Sequence, residues 1–139
     1  MASFVKYNCF LKDLAEKKHD FSADSFKVAL TNRAPVVATD RVLADISEIA
    51  AGNGYAAGGN AATFNSSSQA GGVYKSVLND PATWTATGGS IGPFRYAVLY
   101  NATANLLVGY YDYGVAVTLA VGDTFIDDLD QVNGIFTIT

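Results

Sequence analysis

The sequence contains little of what disulfides, metal sites and catalytic triads are built from. It has one cysteine, Cys9, and one histidine, His19, so it offers no internal disulfide and too few ligands for a structural zinc site. A Ser-His-Asp arrangement would depend on His19 alone, which lies in a Lys-Lys-His-Asp run typical of a polar helix end. We therefore expect no catalytic residue, no bound metal and no cofactor, with Cys9 a small buried side chain in a helix.

Charged residues are also scarce and unevenly placed. They make up 16% of the chain, nine Lys and Arg against thirteen Asp and Glu, for a net charge of −4. Between Ile49 and Tyr74 the tyrosine hydroxyls are the only ionisable side chains, and residues 96–139 hold five aspartates and no base. Nucleic-acid binding needs a clustered basic surface, so this distribution favours a protein–protein surface instead.

Long apolar runs are missing as well. No stretch approaches the 18 residues of a membrane span, and the charged residues among the first 20 lead us to expect no secretory signal peptide. The chain has 139 residues, half of them hydrophobic. We therefore expect a single domain over residues 1–139 with a core of ordinary size.

The N-terminal part, residues 1–20, has the periodicity of a helix. Tyr7, Phe10, Leu11 and Leu14 recur at i, i+3, i+4 and i+7, which predicts one apolar face docked on the rest of the domain. The period then changes to two in Ser25–Thr31, which predicts a half-buried strand.

Residues 39–51 fit either a helix or an extended segment, and the spacing of their apolar residues favours the helix. The Gly-, Ala-, Ser- and Asn-rich residues 52–72 that follow predict a long loop with one short strand around Ala61–Asn65. This loop is either an ordinary surface loop or one shaped to lie against a partner.

The rest of the chain has the pattern of short strands separated by turn residues. We expect strands at Val73–Leu78, Thr83–Ala86, Pro93–Tyr100, Leu106–Tyr113, Val115–Leu119, Thr124–Asp127 and Ile135–Thr139. Within the third of them, Phe94, Tyr96, Val98 and Tyr100 should share the inward face. Asn133-Gly134 is a strong hairpin signal. Eight or nine such strands indicate an antiparallel sandwich or barrel, with the helix over one end or edge.

Two clusters near the C-terminus are candidates for chemistry or binding. Asp123, Asp127, Asp128 and Asp130 offer oxygens to Ca²⁺ but match no EF-hand spacing, so we expect solvated carboxylates. Tyr110, Tyr111 and Tyr113 surround Asp112. On a strand Tyr111 and Tyr113 share one face and Tyr110 lies on the other. Either all three pack in the core, or one is exposed and binds a sugar or a protein.

Several segments together resemble one protein family. They are Phe26-Lys27-Val28-Ala29-Leu30-Thr31-Asn32, Val42-Leu43-Ala44-Asp45-Ile46, Glu48-Ile49-Ala50-Ala51-Gly52-Asn53-Gly54-Tyr55, Gly88-Gly89-Ser90-Ile91-Gly92-Pro93-Phe94-Arg95-Tyr96-Ala97-Val98-Leu99-Tyr100 and Asn133-Gly134-Ile135. In this order, over most of the chain, they resemble the capsid cement (decoration) proteins of short-tailed bacteriophages. The matching motifs are structural and carry no catalytic residue.

The resemblance implies a mainly β fold, an antiparallel jelly-roll-type β-sandwich with a short N-terminal helix. It also implies a dimer or trimer that is made in the host cytoplasm and binds the major capsid protein on the capsid exterior. It implies no enzyme, no nucleic-acid partner and no membrane partner. On this hypothesis the uncharged segment contacts the lattice or a sister copy, through Gly54, Tyr55, Phe64 and Tyr74. The alternative is a phage tail or fibre protein, or a carbohydrate- or receptor-binding β-sandwich module.

Overall fold

The computed structural model describes residues 3–138 and is dominated by antiparallel β-structure. Strands account for 43% of the residues and helix for 9%, which confirms a mainly β fold with a short N-terminal helix, as in a β-sandwich. The elements in chain order are β1 (Phe4–Lys6), α1 (Asn8–Ala15), β2 (Phe26–Thr31), a 3-10 helix (Leu43–Ile46), β3 (Asn60–Ala61), β4 (Phe64–Ala70), β5 (Val73–Leu78), β6 (Trp84–Thr85), β7 (Ile91–Asn101), β8 (Leu106–Leu119), β9 (Thr124–Phe125) and β10 (Phe136–Ile138).

These strands form three antiparallel sheets. The largest has five strands in the order β1-β8-β7-β2-β3, the second has three in the order β10-β5-β4, and β6 pairs with β9 in the third. The long hairpin β7–β8 turns at residues 102–105 and forms the centre of the large sheet. The residues expected to form two strands, 106–113 and 115–119, form the single strand β8. Among the described residues, no helix is long and apolar enough to cross a membrane.

Both faces of β2, in the middle of the large sheet, are buried, which corrects the expectation of a half-buried strand at Ser25–Thr31. Phe26, Val28 and Leu30 of β2 enter the larger core, which also receives Leu78 from β5 and Phe136 from β10. The other face is covered too, by a second cluster that packs Ala29, Val98, Tyr100 and Leu107 against Tyr7 and Ile46. The chain segments that precede and follow β2 thus cover the side that strand alternation assigns to solvent.

The expected inward face of β7 is wrong in part. Phe94 belongs to the larger core, whereas Val98 and Tyr100 belong to the second cluster. The cause is the pairing with β8, which shifts register between Phe94 and Tyr96. A β-bulge of this kind reverses which face the following residues occupy.

The N-terminal helix is shorter than its periodicity predicts. It spans eight residues. Tyr7, just before it, and Phe10, within it, are fully buried, but Leu11 is 57% exposed. Asp13 is buried instead, and Nη2 of Arg41 lies 2.9 Å from its Oδ1. This ion pair compensates the burial of the Asp13 carboxylate.

Two further expectations need correction. The helix over residues 39–51 is reduced to one 3-10 turn, which ends where Ser47 takes a left-handed conformation (φ 53°). Asn133-Gly134 forms no hairpin, because the strand that follows pairs with the distant β5. Gly134 (φ 80°) lets the chain pass close to β5, where a Cβ atom would lie 2.5 Å from the Ser76 carbonyl oxygen.

Candidate interaction surface

The first half of the uncharged segment is folded into the protein, which corrects the expectation that Tyr55 contacts a partner. Tyr55 is only 2% exposed. Its hydroxyl donates to Oε2 of Glu48 at 2.7 Å and accepts from the backbone N–H of Leu30 at 3.1 Å. Burial, and then the Glu48 carboxylate, raises the pKa of this hydroxyl. Tyr55 therefore anchors the loop to β2 and is not available at the surface.

Gly54 has a structural role of the same kind. It lies at the surface with φ 104°, and a Cβ atom there would come within 2.2 Å of the Thr85 carbonyl oxygen. A larger residue at this position would distort the fold before it altered a contact. The nearby Gly58 is held on both sides, because its N–H donates to Glu48 at 2.9 Å and its carbonyl oxygen accepts from Tyr100 at 2.7 Å.

The second half of the segment forms an exposed hairpin, β4–β5. All seven residues of β4, Phe64–Ala70, are exposed. The hairpin turns at Gly71 (φ 58°) and Gly72 (φ 83°), the positive pair of φ angles that a two-residue type I′ turn requires. Most of β4 was missed by the sequence analysis, although the Gly-Gly pair directly before Val73–Leu78 is a hairpin signal.

Phe64 and Tyr74 lie on this hairpin but at different places. Phe64 begins β4 opposite Leu78 and is 37% exposed. Tyr74, half-buried, lies opposite Gln69 near the turn and packs at 6.2 Å, centroid to centroid, from Phe136. Of the four predicted contact residues, the structure thus leaves Phe64 and Tyr74 on an exposed hairpin and separates them from the buried Tyr55.

A groove separates the hairpin from the end of the N-terminal helix. It has a volume of about 480 Å³. Its walls combine apolar side chains with polar ones: Leu14, Lys17, His19, Asp20, Phe21, Ser22, Ser67, Tyr74 and Ile138. Among these residues only Tyr74 was predicted from the sequence as a contact residue, because residues 14–22 and 138 meet residues 67 and 74 only in the folded chain.

His19 is a packed residue of the groove wall. It is buried between the rings of Phe10 and Phe21, with centroids 5.3 and 6.2 Å away. Nδ1 lies 3.2 Å from the side-chain nitrogen of Asn101. Burial lowers the pKa of the imidazole, which keeps the ring neutral at neutral pH. These contacts support a structural histidine.

Cys9 has no features of an activated nucleophile. It lies in α1, as expected, but is half-buried where a buried side chain was expected, with its thiol 3.6 Å from the Asp40 carbonyl oxygen. Burial, and then the charge of Asp13, raises the pKa of the thiol. A reactive cysteine needs the opposite shift, because the thiolate is the nucleophile.

The acidic cluster is not uniformly solvated, which corrects another expectation. Asp123 and Asp130 accept hydrogen bonds from backbone N–H groups of their turns, at 3.0 Å from Ala120 and 2.9 Å from Val132. Asp127 is fully buried and accepts a hydrogen bond from the Tyr113 hydroxyl. Within residues 3–138, no group of three or more His, Cys, Asp or Glu side chains is arranged to hold a metal ion.

The tyrosines around Asp112 follow the expected alternation. Tyr111 and Tyr113 contact the larger core, whereas Tyr110 packs against the second cluster. Asp112 forms a two-point ion pair with Arg95, at 2.8 and 3.0 Å. These tyrosines hold the sheet to its two cores and leave the β4–β5 hairpin and the groove as the candidate interaction surface.

Comparison of the chain with protein-family models, with curated proteins and with solved structures finds no match.

Proposed function

We propose that this protein is a capsid cement (decoration) protein of short-tailed bacteriophages, which binds the major capsid protein from outside and stabilises the assembled head. The observation that carries the proposal is the exposed hairpin, whose strand β4 has all seven residues at the surface and no charged side chain. The resemblance of the sequence to that family supplies the identity of the partner. The protein would be made in the host cytoplasm and would act on the virion exterior.

The chemistry of the hairpin suits a buried protein interface. Charged side chains must shed water to enter such an interface, and the loss is offset only by well-placed partners. β4 presents Asn, Ser and Gln side chains instead, which can exchange water for hydrogen bonds with a partner. Phe64 and Val73, each 37% exposed, add apolar area at the two ends of the hairpin.

We propose a role without catalysis. The one imidazole is packed between two phenylalanine rings, and the one thiol has a raised pKa. A cement protein needs neither group, because it stabilises the shell by binding the assembled lattice in preference to free subunits. A dimer or trimer that spans neighbouring capsomers adds effective concentration to each modest contact.

Binding to isolated heads tests this function. Heads of the phage that encodes the chain, stripped of the protein, are mixed with purified protein and separated by sedimentation. We expect saturable binding that Val73→Glu weakens at least about tenfold, because an unpaired carboxylate would be buried. The matched control is Val115→Glu, at a β8 position that is 67% exposed and outside the hairpin. No binding of the unmodified protein, or equal loss with both variants, would contradict the proposal.

The groove favours a second function, a carbohydrate- or receptor-binding module of a phage tail or fibre. Its walls bring the Tyr74 ring together with polar side chains of Asp20, Ser22 and Ser67, the mixture with which proteins hold sugars. A glycan array tests this function directly. A ligand whose binding is lost in Tyr74→Ala but kept in Val115→Glu would favour it over the cement protein.

A further inference from the structure

Strand β4 has an open edge. It is the outer strand of its sheet and pairs only with β5. The two-residue turn makes Ala70 and Val73 a hydrogen-bonded pair, so alternate residues from Ala70 back to Ser66 direct their backbone groups to β5. The N–H and C=O groups of Ser67 and Gln69 therefore point away from the sheet, where no other strand of residues 3–138 pairs with them.

The other sheet edges are protected in ways that β4 is not. In the large sheet the outer strands are β1, with three residues that include Lys6, and β3, with two. The part of β8 that β1 does not cover, beyond Tyr111, is irregular, because its pairing with β7 shifts register twice there, and such bulges also hinder strand addition. In the sheet of β4 the opposite edge is β10, with three residues. Short strands and lysines are the usual means of preventing strand addition. β4 has seven residues and neither a charge nor a proline.

We infer that the β4 edge pairs antiparallel with β4 of a second copy of this chain, which joins two three-stranded sheets into one six-stranded sheet. The occupant of an open strand edge must itself be extended backbone with free N–H and C=O groups. A second β4 supplies that backbone in the same length. A two-fold axis closes the pair, so neither β4 edge remains open for a third copy.

The charge distribution favours a second copy over a charged partner segment. Each chain carries a net charge of −4, and its five C-terminal aspartates lie outside the hairpin. The copies therefore meet through uncharged segments, where no like charges oppose each other. The serines of β4 are also small and can hydrogen-bond across the strand pair. Two acidic chains can associate here without the repulsion that their net charge causes elsewhere.

This inference deepens the proposed function, of which a dimer or trimer is a part, by naming the strand through which two copies pair. Its test uses the isolated protein without any capsid. A dimer built at β4 would carry two copies of every other surface, including the groove and Val73. If self-association fails, binding to heads is still open; if binding to heads fails, the dimer still stands.

Introducing a positive or a negative charge at Ser68 tests the pairing of the two β4 strands. Its side chain is exposed, and two copies of it come within about 8 Å whether the two-fold axis passes Ser67 or Ser68. Sedimentation-velocity centrifugation is performed on the unmodified protein, on Ser68→Lys, on Ser68→Glu and on an equal mixture of the two variants. Thr118→Lys, an exposed position on β8, is the control for adding a lysine to a strand.

We expect the unmodified protein to form a dimer between micromolar and near-millimolar concentration, with little effect of salt. Ser68→Lys alone should raise the dimer dissociation constant about tenfold, through like charges across the pair. Ser68→Glu should raise it less, because Lys75 lies directly opposite Ser68 on β5. The mixture should recover the dimer at low salt and lose part of it at high salt. A monomer at every concentration, or a dimer that neither Ser68 variant weakens, would overturn the inference.

Discussion

Asp127 makes the stability of this protein depend on pH in an unusual direction. It is fully buried, with one carboxylate oxygen bonded to the Tyr113 hydroxyl and the other without a hydrogen-bond partner among residues 3–138. Burial raises its pKa from 3.8 to about 7, although the Tyr113 hydrogen bond opposes the shift. In the unfolded chain the same carboxyl ionises near pH 4.

The folded state therefore holds a proton on Asp127 that the unfolded state has released, over the range from pH 4 to 7. The free energy of unfolding falls as pH rises through that range. Three pH units at 1.36 kcal/mol each correspond to roughly 4 kcal/mol of lost stability by pH 8. His19 acts in the opposite direction, because its lowered pKa removes stability as pH falls below about 6.5.

Comparison with Asp127→Asn separates the two residues, because His19 is present in both proteins. The variant keeps an oxygen that accepts from Tyr113 and cannot ionise. Urea unfolding at pH 4, 6 and 8 gives the free energy difference between the proteins. We expect that difference to move by roughly 4 kcal/mol in favour of the variant between pH 4 and pH 8. A constant difference over this range would refute the burial of a protonated Asp127.

Three further substitutions and one control test the larger core and the loop packed beside it. Phe94→Ala should lower the free energy of unfolding by about 3–5 kcal/mol. Val115→Ala, the control at an exposed position, should change it by less than about 0.5 kcal/mol. Equal effects would contradict the burial of Phe94 in the larger core. Tyr55→Phe should cost about 1–3 kcal/mol, since Glu48 and a buried N–H lose their partner, and a neutral result would contradict the anchor. Gly59→Ala should cost at least about 2 kcal/mol, because φ is 76° and the new Cβ would lie 1.8 Å from a backbone oxygen; chemical unfolding measures all four.

The parts of the fold that follow from local pattern were predictable from the sequence. The strands expected at Ser25–Thr31 and Val73–Leu78 are β2 and β5, with bounds that match the structure within one residue. A run of apolar and β-branched residues between turn residues is a property of each residue and its near neighbours. For the same reason the alternation of Tyr110 and Tyr111 on β8 was correct.

The parts that depend on distant residues were not. The reversal of faces after Phe94 needs the register shift against β8, which no local pattern contains. Tyr55 is buried where its hydroxyl accepts from the Leu30 N–H and donates to Glu48. Asp127 is buried where its carboxyl accepts from the Tyr113 hydroxyl. The strand β4 lacks apolar alternation altogether, since both of its faces are exposed, so its Ser-rich sequence resembled a loop.

The copy number of this chain on purified phage heads tests the proposed cement function most directly. Heads of the encoding phage are purified through two density gradients, and the chain and the major capsid protein are quantified together by mass spectrometry with labelled peptide standards. We expect a constant number of copies of the chain per copy of the major capsid protein, as binding to a site repeated across the lattice requires. Absence of the chain from heads would contradict the cement function. So would a few copies per virion that co-purify with tails and not with heads.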